Sequence, residues 1–579
     1  MRTVNAGAAW RRARTIWNRE TPVRAGVMRA AVLTACAGAA LAAAGMGGCA
    51  GTIFEAAPAH ERTDRAAIRA AERPSALSGT PAKVSAGAGA LTLPKAGAST
   101  AGASGLSGAT GFGTGATTAT GFSGTAPSAA VIPRAVVPGI AGEPDVRVRL
   151  TSATSALKVG VTRPVGGGDG VVWVAGAGSA RPAARMVAPV SVRLTSRGWV
   201  VTDAAGVSGT FDAGSELRVQ ASPEEGGGVA GSSPRYTGVT LASASGGNGG
   251  GRGAPGSPGA RGLMPGAALM IDGRAYPGAL ALQPRRDAGG AAFDVIAQVG
   301  VEDYLKGVVA AEMYPSWPLG AFQAQAVAAR SYALHERQRA RVNGSRFDVE
   351  STTNDQAYRG GEAPPQVARA VDSTRGVILT WNGTVLRSYY SSTSGGRAAG
   401  AKDTWPVARG TEFNLAGPLQ ASPREETGST SPYFRWTVSR SRGELSSRLR
   451  EWGRVNAQPV KGIGTIVHVQ TAERNVVGRP VRYLVTDAGD RTFTLSAEQL
   501  RQACNQSAPG VQAVVRENRV NSGDIEVQII GDAVSIRGRG YGHGVGMCQW
   551  SAKELAERGM DWAAVLTRFY PGAKIEKAY

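Results

Sequence analysis

Two successive helices are predicted by residues 301–334, which read VEDYLKGVVAAEMYPSWPLGAFQAQAVAARSYAL. The first should span residues 301–313, because Leu305 and Val308 recur on one face at the helical period. Two prolines follow it closely and would end it, since proline cannot continue a helix. The second helix should span residues 319–341, where regularly spaced alanines favour close packing against a neighbouring element.

Glu312 falls near the end of the first predicted helix, on the same apolar stripe as Leu305 and Val308. A carboxyl group on a buried stripe loses hydration, and its pKa should therefore rise. A carboxyl group that stays protonated near neutral pH can act as a general acid. The competing interpretation is a structural ion pair with Arg330, and the residue pattern favours neither.

Gln323 and Arg330 are seven residues apart and share one face of the second predicted helix. Both side chains donate hydrogen bonds in fixed geometry, so this face is a candidate for binding sugar substituents. A solvated polar face is the alternative.

Short strands are predicted before this helical pair, starting with the alternation of valine and arginine in VRVRL, residues 146–150. We expect a β-rich subdomain at 144–290, with a disordered glycine-rich insert at about 225–266. A mixed α/β domain should follow at 291–579. The predicted fold class is therefore α+β, with the two parts packed together.

The N-terminal 49 residues have the features of an export signal. Arginines precede an apolar, small-residue run at 30–46, and Gly-Gly-Cys follows it. Cys49 is predicted as a lipidation site, whereas simple cleavage nearby and an uncleaved anchor remain alternatives. Met28 is an alternative start. Residues 50–143 consist mainly of small residues and proline, so a disordered tether is expected there.

The chain is strongly basic, with a formal net charge of +21 and a pI of about 10.3. Such a charge attracts polyanions, including nucleic acid, anionic lipid and the anionic cell envelope. An exported protein without interleaved aromatic and basic residues does not fit nucleic acid binding. The expected location is therefore the cell envelope.

A third signal is RGRGYGHGVGMCQW, residues 537–550, in which glycine occupies every second position from 538 to 546. In an extended conformation one side of this segment would carry no side chains, so a ligand or a second backbone could approach closely. Tyr541 and His543 would project from the other side and are predicted to line a binding groove.

A fourth signal is the serine-rich segment SYYSSTSGGRA, residues 388–398. Ser392, Ser394 and Arg397 offer hydrogen-bond donors and are predicted substrate contacts. An ordinary polar turn is the alternative.

The two cysteines near the C-terminus are Cys504 and Cys548. They could form a disulfide in an oxidising compartment, or they could be two free buried thiols.

Together these segments resemble the SpoIID/LytB family (stage II sporulation protein D and the amidase enhancer LytB). The resemblance is carried by residues 301–334, by YYSSTSGGR at 389–397 and by GYGHGVGMCQWSAKELAERGMDWAAVLTRFYPGAKI at 540–575. It implies a peptidoglycan lytic transglycosylase, or alternatively a non-catalytic wall-binding module that enhances a cell-wall amidase. By the same resemblance the catalytic glutamate falls on Glu312 and a functionally important arginine on Arg330.

The implied reaction cleaves the bond between N-acetylmuramic acid and N-acetylglucosamine and leaves a 1,6-anhydro end, with Glu312 as the single acid and base. Some relatives bind zinc through His and Cys in the serine-rich loop. Residues 388–398 contain neither, so no metal and no cofactor are predicted. The expected partners are glycan strands, a wall amidase and, through the signal or lipid anchor, the membrane.

Overall fold

The computed structural model describes residue 132 and residues 140–153, 156–162, 170–177, 184–222, 268–285, 291–424 and 427–579. The predicted signal segment with Cys49, the glycine-rich insert at 225–266 and nearly all of the predicted linker lie outside these ranges. No helix within the described ranges combines the length and the apolar character that crossing a bilayer requires.

The described residues form a mixed α/β fold, as predicted. In chain order the strands β1–β24 are Asp145–Ala153, Leu157–Val161, Val171–Gly176, Ala184–Val187, Val190–Thr195, Gly198–Thr202, Ser208–Phe211, Leu217–Ala221, Leu269–Ile271, Arg274–Tyr276, Ala279–Pro284, Phe293–Gly300, Val349–Glu350, Val377–Trp381, Thr384–Val385, Tyr390–Ser391, Trp436–Ser441, Ile466–Arg474, Pro480–Asp487, Thr492–Ser496, Ile525–Ile530, Ala533–Gly538, Met547–Cys548 and Lys574–Lys577. The helices α1–α8 are Val301–Glu312, Leu319–Val342, Pro365–Ser373, Ala401–Thr404, Arg442–Val455, Ala497–Cys504, Gln549–Glu557 and Trp562–Phe569.

The first twelve strands, with β13, build two sheets in the orders β13-β1-β12-β11-β8-β3-β4 and β10-β9-β2-β5-β6-β7. Strand β1 has the predicted alternation. Val146 and Val148 are fully buried, whereas Arg147 between them forms an ion pair with Asp348. The alternation of apolar and polar residues thus correctly predicted a β-rich region here.

Helix α2 is the centre of the following part and packs against α1, α3, α7 and α8. Its alanines at 326, 329 and 333 are fully buried, which allows this close approach. The two predicted helices are confirmed to within one residue at each end.

Residues 436–536 pack around a second cluster of buried apolar residues, separate from the first. It lies between α5, α6 and two three-stranded sheets, β17-β22-β21 and β18-β19-β20. Cys504 belongs to this second cluster and Cys548 to the first. Both are buried free thiols, so the disulfide alternative does not apply.

The glycine-alternating segment joins the two clusters and is only partly extended. Strand β22 ends at Gly538, and the next four alternate glycines have positive φ angles, so the prediction of a continuous extended face is wrong. The expected close approach of a second backbone is confirmed. A Cβ atom would lie 2.4 Å from Thr393 O at Gly540 and 1.9 Å from Tyr389 O at Gly546.

Strand β23 then pairs in parallel with β16, with Tyr390 opposite Met547 and Ser391 opposite Cys548. Helix α7 begins at the next residue, Gln549. The pairing of β23 with β16 therefore fixes the position of the first turn of α7 relative to the serine-rich segment.

Candidate active site

Glu312 is the last residue of α1 and is only 5 % exposed. Val308 and Leu305, respectively one and two turns before it on the stripe, are fully buried. The predicted burial of this carboxyl group is therefore confirmed.

Two N–H groups from distant parts of the chain donate to the Glu312 carboxyl group. The backbone N–H of Ala357 lies 3.3 Å from Oε1, and Gln549 Nε2 lies 3.5 Å from Oε2. Gln549 Nε2 also lies 3.4 Å from Gln325 Oε1. These are long hydrogen bonds, as expected for donors facing a carboxyl group without full charge.

Burial raises the pKa of Glu312 to about 8. The Ala357 N–H, Gln549 and the positive charge of Arg359 each lower this pKa, but burial outweighs them. Glu312 is therefore largely protonated at neutral pH, which is the state that a general acid requires.

A web of neutral polar groups lies beside this carboxyl group. Tyr304 OH donates to Gln356 Oε1 at 3.0 Å, and Gln356 Nε2 donates to Tyr390 OH at 3.0 Å. The proximity of Glu312 contributes to raising the pKa of Tyr304 and of Tyr390, and burial is the main cause. The phenols of Tyr304 and Tyr390 therefore stay neutral.

The aromatic side chains of Tyr314, Trp317 and Trp550 form a cluster. Its members lie close in the chain to Glu312 or to Gln549. The ring centroids of Trp317 and Trp550 are 5.1 Å apart, and that of Tyr314 lies 5.5 Å from Trp317 and 5.9 Å from Trp550. Tyr314 follows Glu312 by two residues, and Trp550 directly follows Gln549. Tyr314 and Trp550 are half-buried, so this aromatic cluster offers accessible ring surface close in the chain to Glu312 and Gln549.

The residues of the serine-rich segment contact two separate parts of the structure. Trp550 N donates to Ser392 O at 3.1 Å, which puts Ser392 beside the aromatic cluster. Ser394 O instead accepts from Arg479, and Arg397 pairs with Asp524 beside β21. Of the three predicted contacts in this segment, only Ser392 lies next to residues of the Glu312 site.

Arg330 is fully buried and forms a two-point ion pair with Glu302, at 2.6 Å for NH2–Oε2 and 3.0 Å for Nε–Oε1. No part of the Arg330 side chain is accessible in this structure, and its predicted contact with substrate stays a prediction. The alternative ion pair of Arg330 with Glu312 is not formed, because the guanidinium donates to Glu302 and to the carbonyl groups of Val371 and Val377. Gln323 is half-buried, and its side-chain amide donates to the Ser373 hydroxyl on α3 rather than to a residue of the Glu312 site.

His543 is 2 % exposed and lies between aromatic rings, 5.0 Å from Trp405 and 5.9 Å from Tyr389 between centroids. Its Nδ1 accepts a hydrogen bond from Val545 N, and burial lowers the pKa of the imidazole well below its ordinary value. The neutral ring is enclosed in this structure, and the substrate role of His543 stays a prediction.

Tyr541 is half-buried and its ring packs 4.9 Å from that of Tyr433. Its backbone bonds to Thr393 rather than to any residue of the Glu312 site.

Sequence reasoning missed the two glutamines at 325 and 549. Amides do not titrate and carry no catalytic signature of their own, so only the fold reveals their position. The one available signal was that Gln549 and Trp550 close the glycine-rich segment. Within the described ranges, no cluster of three or more His, Cys, Asp or Glu side chains could hold a metal ion.

A family model described as stage II sporulation protein, SpoIID, matches residues 290–381, which include Glu312 and its hydrogen-bond donor Ala357. An uncharacterized protein of Brachyspira hyodysenteriae is 30% identical over 309 residues, which are 53% of this chain and 73% of that protein. This chain belongs to the SpoIID family.

Two relatives from Bacillus subtilis share 26% identity with the chain. The stage II sporulation protein D matches over 301 residues, 49% of this chain and 76% of that protein. The amidase enhancer matches over 300 residues, 47% of this chain but only 40% of that protein. A second family model, described as a domain of unknown function, DUF8618, matches residues 411–546 and so contains the second apolar cluster.

Proposed function

We propose that this SpoIID-family protein is a peptidoglycan lytic transglycosylase, with Glu312 as its single general acid and base. The observation that carries this proposal is the buried Glu312 carboxyl group, whose pKa burial raises to about 8. Such a group holds a proton at neutral pH and can release it to a substrate oxygen.

In the first step Glu312 donates its proton to the glycosidic oxygen between N-acetylmuramic acid and N-acetylglucosamine, and the bond to the muramyl anomeric carbon breaks. In the second step the Glu312 carboxylate takes the proton of the muramyl 6-hydroxyl, whose oxygen bonds to that carbon. The products are a free N-acetylglucosamine end and a 1,6-anhydro ring, and the enzyme regains its proton.

The neighbours of Glu312 suit a carboxyl group that alternates between these two states. When it loses its proton, Ala357 N–H and Gln549 Nε2 can stabilise the new charge by shortening their hydrogen bonds.

The aromatic cluster of Tyr314, Trp317 and Trp550 supports a carbohydrate substrate. Binding sites for small ligands commonly combine aromatic surface with a few placed polar groups. Here the rings supply an apolar wall for a pyranose ring, and the adjacent carboxyl group supplies the proton.

The location follows from the sequence and is part of the proposal. A predicted export signal, Cys49 as a lipid attachment site and a net charge of +21 fit a protein that acts at the anionic cell envelope.

The decisive test is mass spectrometry of the products from glycan strands stripped of their peptides. The wild type should release fragments with 1,6-anhydro ends, lighter by one water than hydrolysis products. Glu312→Gln should bind the strands and yield no such ends, whereas Glu517→Gln, at an exposed glutamate, should act like the wild type. Equal anhydro product from Glu312→Gln would refute the proposal.

A second candidate function is non-catalytic enhancement of a cell-wall amidase, which the name of one relative supports. In that case the full chain would accelerate a purified wall amidase on intact peptidoglycan, and Glu312→Gln would accelerate it equally. The same mass spectrometry would then find no anhydro ends with either protein.

A further inference from the structure

Gln325 lies on α2, within an alanine-rich run at 324–329, and its side chain is fully buried. The other members of this run are small or apolar and are buried as well. A primary amide in such surroundings lowers stability unless its N–H and C=O groups find hydrogen-bond partners.

The structure satisfies this amide only in part. Gln325 Oε1 accepts a hydrogen bond of 3.4 Å from Gln549 Nε2. Gln325 Nε2 is buried and has no hydrogen-bond partner among the described residues. An apolar side chain of similar length, such as methionine, would avoid this cost. The stability of the fold therefore gives no reason for a glutamine at this position, and such positions are commonly functional.

The contact with Gln549 connects Gln325 to the candidate acid. Gln549 Nε2 carries two hydrogens, and it lies 3.5 Å from Glu312 Oε2 and 3.4 Å from Gln325 Oε1. Gln549 is itself only 3 % exposed. One amide nitrogen thus joins an acceptor at the end of α1 to an acceptor on α2.

This arrangement selects one orientation of the Gln549 amide. A carboxylate only accepts hydrogen bonds, so the charged form of Glu312 requires the nitrogen of Gln549 and not its oxygen. If the amide turned over, its oxygen would face both the carboxylate and Gln325 Oε1. The reverse pairing, in which Gln325 Nε2 donates to Gln549 Oε1, suits only a protonated Glu312.

The other groups that act on the Glu312 proton belong to different elements. The Ala357 N–H and the exposed Arg359 lie in the segment before α3, and both lower the pKa of Glu312. The buried phenols of Tyr304 on α1 and Tyr390 on β16 stay neutral. A change at Gln325 leaves all four of these groups in place.

We propose that Gln325 is a positioning residue for the reaction at Glu312. Its side-chain oxygen holds the Gln549 amide with the nitrogen toward Glu312, where it stabilises the charge left by proton donation. The reaction rests on the proposed function, whereas the effect on the Glu312 proton does not. Because Gln325 is fully buried, it acts on the rate of the reaction and not on the binding of the glycan.

The test begins with Gln325→Met, assayed by the rate of anhydro-product formation from peptide-stripped strands. The kcat should fall about fivefold with KM unchanged, because the carboxylate formed in the reaction loses an oriented donor. The alkaline limb of kcat/KM should move to higher pH, because a donor to the charged form of Glu312 is weakened. Gln338→Met, at an exposed glutamine on the same helix, should match the wild type in both respects.

Thermal unfolding followed by circular dichroism separates this role from a structural one. The melting temperature of Gln325→Met should be no lower than that of the wild type, since the variant has one fewer unpaired buried N–H group. If the methionine variant does not fold, Gln325→Leu serves instead. A melting temperature well below that of the wild type in both variants would assign the glutamine to the fold and overturn the inference.

The double variant Gln325→Met/Gln549→Met tests whether Gln325 acts through Gln549. It should be no slower than Gln549→Met alone, and its alkaline limb should be shifted no further. Effects of the two changes that multiply would overturn the inference. An unchanged pH profile in Gln325→Met would overturn it too.

Carbon NMR titration of the Glu312 carboxyl group distinguishes failure of this inference from failure of the proposed function, since it needs no substrate. A midpoint that Gln325→Met raises, but not when Gln549 is already methionine, would support the positioning role. Found together with a wild type that forms no anhydro ends, this result would contradict the transglycosylase proposal alone. Anhydro ends from the wild type, with a midpoint that Gln325→Met leaves unchanged, would overturn this inference alone.

Discussion

Gln549 Nε2 lies 3.5 Å from Glu312 Oε2, although 237 residues separate the two in the chain. The contact joins the last residue of α1 to the first residue of α7. It lowers the pKa of Glu312, against the larger upward effect of burial. The proton affinity of the candidate acid is therefore set partly by a residue outside its own helix.

Replacing Gln549 by methionine should raise the pKa of Glu312 further, because a donor to its charged form is removed. The alkaline limb of the pH dependence of kcat/KM should move to higher pH. The maximal rate should fall about tenfold, since the carboxylate formed after proton donation loses a stabilising bond. Rates of anhydro-product formation across a pH series measure both effects.

The matched control is Gln323→Met, which removes a half-buried glutamine that bonds to Ser373. It should leave the pH profile unchanged. A Gln549→Met enzyme with an unshifted alkaline limb would show that this amide does not influence the proton on Glu312.

Stability should depend on pH through Glu312, with a defined sign. The pKa of Glu312 is about 8 in the native protein and near 4.5 when unfolded, so the native state binds more protons between these values. The free energy of unfolding should fall as pH rises through that window. Glu312→Gln should remove this slope and be more stable than the wild type at about pH 9, by an amount on the order of a few kcal/mol.

Urea unfolding at a series of pH values measures this difference. Glu517→Gln, the exposed control, should follow the wild-type curve. The contradicting result would be a stability difference between Glu312→Gln and the wild type that is the same at acidic and at alkaline pH. It would mean that Glu312 has an ordinary pKa.

Arg330→Met should destabilise the fold by about 3–5 kcal/mol, because it leaves the buried carboxylate of Glu302 without its counter-charge. The double variant Glu302→Gln/Arg330→Met should recover part of this loss. Denaturant midpoints in a double-mutant cycle provide the measurement. A double variant whose loss of stability equals or exceeds the sum of the two single losses would argue against this pairing.

Gly546→Ala should destabilise far more than Gly510→Ala, although the two φ angles are +72° and +73°. A Cβ atom at Gly510 meets open space, so only the backbone strain of about 1–2 kcal/mol applies there. At Gly546 the added atom would also collide with Tyr389 O, which holds β16 beside β23. Comparable melting temperatures for the two variants would contradict this account.

The local features of the two helices at the candidate site could be read from the sequence. The period of Leu305, Val308 and Glu312 predicted both the helix and the burial of the carboxyl group, because each depends on residues close in the chain. The choice of partner for Arg330 could not be read in this way. Glu302 and Glu312 lie on the same helix, and only packing against α2 decides which of them the guanidinium reaches.

The glycine-alternating segment likewise has some features that its sequence predicted and others that it did not. Its spacing correctly indicated that another backbone comes close, since glycine permits such an approach. It did not indicate the positive φ angles that turn the chain, or the enclosure of His543. Both depend on the serine-rich segment, which lies about 150 residues earlier in the chain.

The central claim is that Glu312 keeps its proton near neutral pH. It is tested most directly by carbon NMR titration of protein labelled at the glutamate carboxyl carbon, with Glu312→Gln used to assign the signal. A signal that titrates with a midpoint near 8 and is missing from the variant would agree with the claim. A midpoint near the ordinary value of 4.5 would contradict it, and the general-acid role would fall with it.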